Sequence, residues 1–500
     1  YVVRSALPEF FEGADDVSKD LPEWTEDSFP GILMNVLAGR IANRFNFGGV
    51  NYTVDAACAS SIAALYDAVR ELDTRTSDMV IAGGADAGQN PFAYLCFSKT
   101  HALSPGGNCR VFDEKADGTV ISEGLCFLVL KRLPDAQMDG DRIYAVIKSV
   151  AGSSDGRQKG LTAPNPLGQL SALRRAYSKA GFDPATLGLL EAHGTGTVVG
   201  DRVEAESAGL LLKEHKARRG NCAIGSVKSV IGHTKGAAGL AGVIKTALAL
   251  YHKVLPPTAS VQKPNSAEFQ DGPIYINSEA RPWIRKSYPR RAGINAFGFG
   301  GTNFHAVLEE YSCDASGASS RDKWSAELFV WAAKSRAELL QTIQSVHKAL
   351  SHGSEPGLSD LSYTICSGFE NNGANSASLS IVASSVADLK SKIEAASSAL
   401  KSAGDTFSDP GGISFTEKPL GAKGSVAFLF PGQGSQYPDM VKELAVIFPE
   451  VREAFERADK ALKGLFENDL SSYVFPVPSF TPEGEKAARK ALLKTNIAQS

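Results

Sequence analysis

A chain of 500 residues, 43% hydrophobic and 21% charged with 48 glycines, describes an ordinary globular protein with many tight turns and room for roughly two to four domains. A formal charge of −3 without any block of like charge argues against nucleic acid as the main partner, and no apolar run approaches the ~18 residues that span a bilayer. The seven cysteines, at 58, 96, 109, 126, 222, 313 and 366, form no CxxC pair and leave one over in any pairing, which fits a reducing, cytoplasmic compartment and offers no zinc site.

The chain opens at Tyr1 without an initiator Met, and its first 30 residues are acidic and aromatic rather than signal-like. It ends in the helical KALLKTNIAQS with no stop signal, so it reads as a piece of something longer. In NYTVDAACASSIAALYDAVREL (51–72), Tyr52 and Val54 alternate with polar neighbours as in a strand, whereas Ile62, Leu65, Tyr66, Val69 and Leu72 recur at helical spacing. Cys58 falls at the turn. A thiol just ahead of a helix faces unpaired N–H groups and the positive end of the helix dipole, both of which favour thiolate. The alternative, a small buried hydrophobe among alanines, has equal weight at this point.

Further along, DMVIAGGA, LCFLVLKRL, RIYAVIKSV and LGLLEAHG have strand character and alternate with the helical QLSALRRAYSKAG and GLAGVIKTALALYHK, which predicts an α/β domain up to about residue 311. Within it, Gly152-Ser-Ser154-Asp-Gly156 satisfies the GxSxG pattern of a hydrolase elbow, but GRQKGLTAPNP follows where the elbow needs a helix. Ser154 is therefore no nucleophile. Two histidines stand in glycine-rich settings, His193 in EAHGTGTVVGD and His233 in KSVIGHTKGAAGLAG, where small neighbours let backbone and substrate come close. Either one alone is more often structural than catalytic. Neither GxxxxGK[ST] nor a strand followed by GxGxxG is present, and no motif implies a nucleotide or a metal. AGINAFGFGGTNFHAVLEE then sets Phe297 and Phe299 among glycines ahead of a terminal strand, where a mobile apolar side chain can cover a pocket.

A Ser/Ala/Asp-rich break, SCDASGASSRDKWS, reads as a linker. Beyond it, ELFVWAAKSRAELL and SLSIVASSVADLK each run from strand to a capping-box start, Ser335 with Glu338 and Ser385 with Asp388, and on into a helix. Two βα units predict a small α+β domain. A Gly/Pro-rich break, SDPGGISFTEKPLGAKGS, leads into VAFLFPGQGSQYPDM.

Taken in order, VDAACASS, EAHGTGTVVGD, KSVIGHTKGAAG and FGFGGTNFHAVLE resemble the signature of the ketosynthase domain of type I polyketide and fatty acid synthases, spread from residue 54 to residue 309. The wording is most similar to iterative polyunsaturated fatty acid synthases and related glycolipid synthases, through TEDSFPGILMNVLAGRIANRF, AYLCFSKTHALS, DGDRIYAVIK and SSDGRQKGLTAPNPLGQ. The resemblance implies a thiolase-like α/β fold over residues 1–311 with its first strands absent. It implies a ketosynthase–acyltransferase linker domain over 312–420 and the beginning of a malonyl-type acyltransferase over 421–500. There PGQGSQ (Pro431 to Gln436) resembles that family's opening strand and oxyanion loop. The acyltransferase serine motif GHSxGE is absent, so no acyltransferase-domain activity is expected.

The same resemblance implies the chemistry. Cys58 takes an acyl group from a carrier thioester, and His193 and His233 grip the carbonyl of malonyl carrier protein during decarboxylation. Backbone N–H groups of Cys58 and Phe299 bind the oxyanion, Phe299 also gates the pocket, and Lys228 supports the site electrostatically. Thr195 and Thr197 hold the carrier's phosphopantetheine arm, and Phe297 lines the substrate site. Cys with two His separates the chain from relatives with Cys, His and Asn, since His233 already fills the place that Asn303 would take. The implied reaction is a decarboxylative Claisen condensation, with no bound cofactor, an acyl carrier protein as partner, a homodimer, and neither nucleic acid nor a membrane span. The alternative is a scaffold or docking fragment whose chemistry has decayed. An unpaired central sheet edge also predicts poor solubility for the chain by itself.

Overall fold

The computed structural model describes residues 25–498 apart from 27, 158–159, 161–162, 313–323, 369–376, 403 and 420–424. Most of the acidic, aromatic opening and of the predicted linker after Tyr311 lies outside the described residues.

Among the described residues the strands form four sheets. β1 (Met79–Asp86) and β2 (Gly124–Lys131) pair antiparallel, with Met79 opposite Lys131 and Asp86 opposite Gly124. The largest sheet has the order β3-β10-β9-β4-β5-β7, from β3 (Val146–Ser154), β4 (Leu189–Glu191), β5 (Cys222–Gly225), β7 (Ile274–Ile276), β9 (Arg291–Gly298) and β10 (Thr302–Glu309). Its β9, β4, β5 and β7 run parallel, while β10 is antiparallel to both neighbours. A two-residue pair, β6 (Val254–Leu255) with β8 (Arg281–Pro282), lies outside it. The last sheet, β11-β12-β14-β13, is antiparallel throughout and is built from β11 (Glu327–Ala333), β12 (Ala377–Ala383), β13 (Thr406–Asp409) and β14 (Ile413–Thr416).

Two cores sandwich the six-stranded sheet. On one face, Leu173 and Tyr177 of α2 (Pro166–Ala180) and Leu211 and Leu212 of α3 (Val198–Glu214) pack on Ile224, Ile276 and Val307. On the other, Ile62 and Leu65 of α1 (Ser60–Asp73) and Leu240, Val243 and Leu250 of α5 (Ala238–His252) pack on Leu189, Ile294 and Ala306. Cys126, Leu128 and Leu130 of β2 close that second core from outside. The layers are therefore helices, sheet, helices, sheet, with α1 and α5 in the middle. Each middle helix lies just beyond a short turn, and those turns carry Cys58 and His233.

The small α+β unit forms as the sequence predicts. Ser335 accepts the Glu338 N–H at the start of α6 (Arg336–Ser351), and Ser385 accepts the Asp388 N–H at the start of α7 (Val386–Ser402). In both, the acidic partner reaches the N–H of the residue before the cap, Lys334 or Ser384, a shared departure from the reciprocal box.

Two strand expectations are not met. Residues 51–56 belong to no ladder, and 425–430 is likewise coil, with Phe428, Leu429 and Phe430 all more than four-fifths exposed. Alternation supplies one face of a strand, but its N–H and C=O groups need a neighbour, and none is present among the described residues. Residues 425–498 instead contribute helices, including α8 (Lys442–Ile447) and α9 (Pro449–Ala461).

Candidate active site

Ala57, immediately before Cys58, has φ +50°, a left-handed conformation that is uncommon outside glycine, and its N–H is held by Asp55 Oδ1 at 2.8 Å. A single turn of 3-10 helix, Ala57–Ala59, then leads into α1. This sharp turn presents the Cys58 sulfur to the backbone N–H groups of Phe299 and of Cys58 itself, within the field of Lys228.

The thiolate expectation from the helix terminus is overturned at rest. Burial pushes the Cys58 thiol above its ordinary range, and it outweighs the opposing effects of the Lys228 charge and the two N–H groups, while Asp86 adds to the rise. The resting group is a thiol whose anion already has three stabilising partners.

His193 and His233 come together although 40 positions apart, with ring centroids 5.6 Å apart and planes at 85°. Phe297 lies against His193 at 5.6 Å. His233 is buried, its N–H bonds Val120 O at 2.7 Å, and its Nδ1 accepts the Lys235 N–H at 3.2 Å. That acceptor role leaves the proton on Nε2, which makes Nε2–H a donor toward the site. His193 Nδ1 is buried and has no hydrogen-bond partner among the described residues. Burial, then the Lys228 charge, holds both imidazoles well below the usual histidine range, so both are neutral near pH 7.

Lys228 is buried at the start of the short helix α4 (Lys228–Ile231), not solvated on the surface. Burial lowers its ammonium from the ordinary lysine range, and Glu191 and Glu204 oppose that shift. Thr195 and Thr197 bond through their hydroxyls at 3.0 Å in the loop after His193. Phe299 is 57% exposed while its N–H faces the sulfur. Asn303 is buried, with its amide donating to Asp155 Oδ1 at 2.7 Å behind the glycine turn. After Ser154 no helix begins until Pro166 among the described residues, consistent with rejecting the hydrolase elbow.

Two carboxylates on α3 complete the site: Asp201, which closes the EAHGTGTVVGD motif, and Glu204, which lies just beyond it. Glu204 accepts the N–H groups of His193 and Gly194 at 2.7 and 2.8 Å and the Asn295 amide at 2.8 Å. Asp201 accepts the N–H groups of Phe112 and Gly196 at 2.7 and 3.1 Å. Gly196 has φ +74°, and a Cβ there would lie 2.8 Å from Gly118 O, so the loop needs glycine at that point. Burial raises both carboxyls, Asp201 to about 7, although the backbone donors pull the other way. Their signal in the sequence is positional: acids at 201 and 204 share the helix face of Ala205, Ala208, Leu211 and Leu212, where a solvated acid has no place.

A layered α/β body with a half-buried cysteine on a strained turn, facing two neutral histidines and a pair of backbone donors, defines a thiolase-like ketosynthase. Family models for the β-ketoacyl synthase N-terminal domain, its C-terminal domain and the ketoacyl-synthetase C-terminal extension match residues 13–136, 144–262 and 263–367. The chain belongs to the β-ketoacyl synthase family of acyl-transferring enzymes. It is 39% identical to a polyunsaturated fatty acid synthase of Thraustochytrium sp. over 95% of its own length and 18% of that protein's. It is 36% identical to the lovastatin nonaketide synthase of Monascus pilosus over 91% of its length, which is 15% of that protein's. The chain thus spans less than a fifth of either relative. Among solved structures it superposes on the ketosynthase from module 6 of the Bacillus subtilis bacillaene synthase with a TM-score of 0.55, at 34% identity over 79% of this chain and 67% of that one. No helix among the described residues is long and apolar enough to cross a membrane.

Proposed function

We propose that the chain carries out the decarboxylative Claisen condensation of a Cys58-bound acyl chain with a malonyl thioester on an acyl carrier protein. The observation that carries the reading is the convergence of the Cys58 sulfur, two neutral imidazoles and the Phe299 N–H on one site.

The Cys58 sulfur attacks the carrier's acyl thioester, its S–C bond forms, and the carrier thiol leaves with the proton that Cys58 gives up. Covalent capture divides the reaction into two easier steps. Malonyl carrier protein then presents its thioester oxygen to His193 and His233. As CO₂ departs, the electron pair of the broken C–C bond becomes an enolate whose oxygen the two imidazoles hold. Donors fixed where charge develops usually supply the largest catalytic effect, and neutral donors already in place need no proton uptake. The enolate carbon attacks the acyl carbonyl, whose oxyanion takes the N–H groups of Cys58 and Phe299. Collapse of that intermediate expels the Cys58 sulfur and leaves a β-ketoacyl thioester on the carrier.

Thr195 and Thr197, paired at the loop after His193, hydrogen-bond the phosphopantetheine arm, and Phe297 and Phe299 bound the acyl channel. The parent protein acts as a homodimer, with residues 312–420 as a linker domain and 421–500 as the start of an acyltransferase domain. The names of the relatives, polyunsaturated fatty acid synthase and nonaketide synthase, favour polyketide or polyunsaturated fatty acid biosynthesis.

The test is acyl loading and CO₂ release measured separately on purified protein. Cys58→Ala should take no radiolabelled acyl group and condense nothing, yet still decarboxylate malonyl carrier protein. His193→Ala and His233→Ala should load acyl groups and lose ~10²–10³ in decarboxylation, the usual effect of removing an oxyanion donor. Condensation by Cys58→Ala, or a parental decarboxylation rate in either histidine variant, would sink this assignment of roles.

A further inference from the structure

Glu191 is the one acid in LGLLEAHG, at the end of a strand whose residues are otherwise apolar, and it is buried. Its two oxygens point in different directions. Oε1 accepts the Val227 N–H at 2.6 Å, on the residue before Lys228, and Oε2 pairs with Lys245 Nζ at 2.7 Å. Lys245 lies on α5, the middle-layer helix that follows the His233 turn. The same helix leaves room for the acid one turn earlier, because a Cβ at Gly242 would lie 2.9 Å from Glu191 Cγ.

The acid therefore joins three pieces of the site. Through the main chain it is two residues from His193. Through Val227 it fixes the start of the Lys228–His233 stretch, and through Lys245 it is anchored to the helix behind it. We propose that Glu191 and Lys245 form a positioning pair that sets the His193 loop against the Lys228–His233 loop. Neither residue touches the reacting atoms. The pair acts by holding two loops in register, so the enolate finds both imidazole donors at once. A second consequence is electrostatic: Glu191 is the foremost negative charge acting on Lys228, so it helps keep that buried ammonium protonated beside Cys58.

This inference rests on the condensation reading above, and its test separates the two. The variants are Glu191→Gln, Lys245→Met, Lys245→Arg and the double Glu191→Gln/Lys245→Met, the last removing both charges together so that no buried charge is stranded. Decarboxylation of malonyl carrier protein, acyl loading on Cys58 and amide exchange across residues 226–233 are measured on each. Misplacing a donor by a fraction of its hydrogen-bond length is expected to slow decarboxylation about tenfold or more in the first two and in the double variant, while loading falls less. Lys245→Arg, which keeps the cation, should stay within about threefold of the parent for the same reason. Amide exchange at 226–233 should quicken in Glu191→Gln. A merely structural role would lower decarboxylation and loading together. That outcome overturns the proposal, as does unchanged exchange at 226–233 in Glu191→Gln. A parent that neither loads nor decarboxylates overturns the condensation reading instead, while the exchange measurement still decides the pair.

Discussion

His233 shows how a backbone contact two residues away can choose a side chain's chemistry. The Lys235 N–H occupies Nδ1, so Nε2 keeps the proton, and burial keeps the ring from gaining a second one. The sign follows: a histidine held below its ordinary range acts as a neutral donor at every pH above that lowered value. Decarboxylation by Cys58→Ala, which has no thiol to titrate, should be flat from about pH 6.5 to 8 and fall only well below, whereas a free imidazole would half-titrate near ~6.5. CO₂ release measured across that range checks it, and a midpoint near 6.5 would contradict the neutral-donor assignment. At this scale the candidates are legible in the sequence, because Cys58, His193 and His233, which the fold brings to one site, stand in short local motifs. Their protonation is not. The helix terminus argues for thiolate at Cys58, but the opposing desolvation depends on what covers the sulfur, which only the folded chain shows. Lys228 is equally ambiguous until its burial and the two acids near it are in view.

The helices of the middle layer are legible as elements, since the apolar spacing of Ile62, Leu65 and Leu72 is the buried face of α1. The meaning of the small residues after His233 is not. Their sequence suggests room for substrate, yet Gly239 makes room for a helix: a Cβ there would lie 2.5 Å from Ile62 Cγ1 and 3.0 Å from Ser61 Oγ, which itself accepts the Leu240 N–H at 3.1 Å. Gly239→Ala gains helix propensity of at most ~1 kcal/mol, whereas overpacking a well-filled contact costs about 1–3 kcal/mol. Packing wins, so the variant should unfold at lower temperature and denaturant concentration, and α1 should shift together with the Cys58 turn. Calorimetry with iodoacetamide labelling of Cys58 reads both effects. Unchanged stability and labelling would show that α1 and α5 are less tightly seated than this. The alternation at Tyr52–Val54 and the apolar run at 426–430 fail as strands for the complementary reason that each is a local pattern, whereas pairing needs a second chain segment that no local pattern reveals.

Across the whole molecule, two features go beyond anything legible in local sequence. Met79, Leu125 and Val129 on the outer face of β1 and β2 are each more than half exposed, an apolar face that no local pattern in the sequence announces. At the other end, residues 425–498 are fastened to the ketosynthase body by a chain of charges. Glu456 on α9 accepts the Arg285 N–H at 2.9 Å and pairs with Arg290, whose guanidinium also meets Glu310 at 2.6 Å, and Arg281 donates to Phe475 O. Ile284 adds an apolar contact with the core of the C-terminal segment. Arg290 keeps Glu310 when Glu456 is removed, so Glu456→Ala strands no charge and should weaken the attachment without unfolding the body. Losing a hydrogen bond to a charged group amounts to about 1.5–3 kcal/mol, or roughly ten- to a hundredfold in a local opening equilibrium. Amides of α8 and α9 should therefore exchange at least about tenfold faster in Glu456→Ala, while those of the β11–β14 sheet, which has its own core, keep their parental rates. Uniform loss of protection, or none in α8 and α9, would mean that this segment is held by its apolar contacts and not by Glu456.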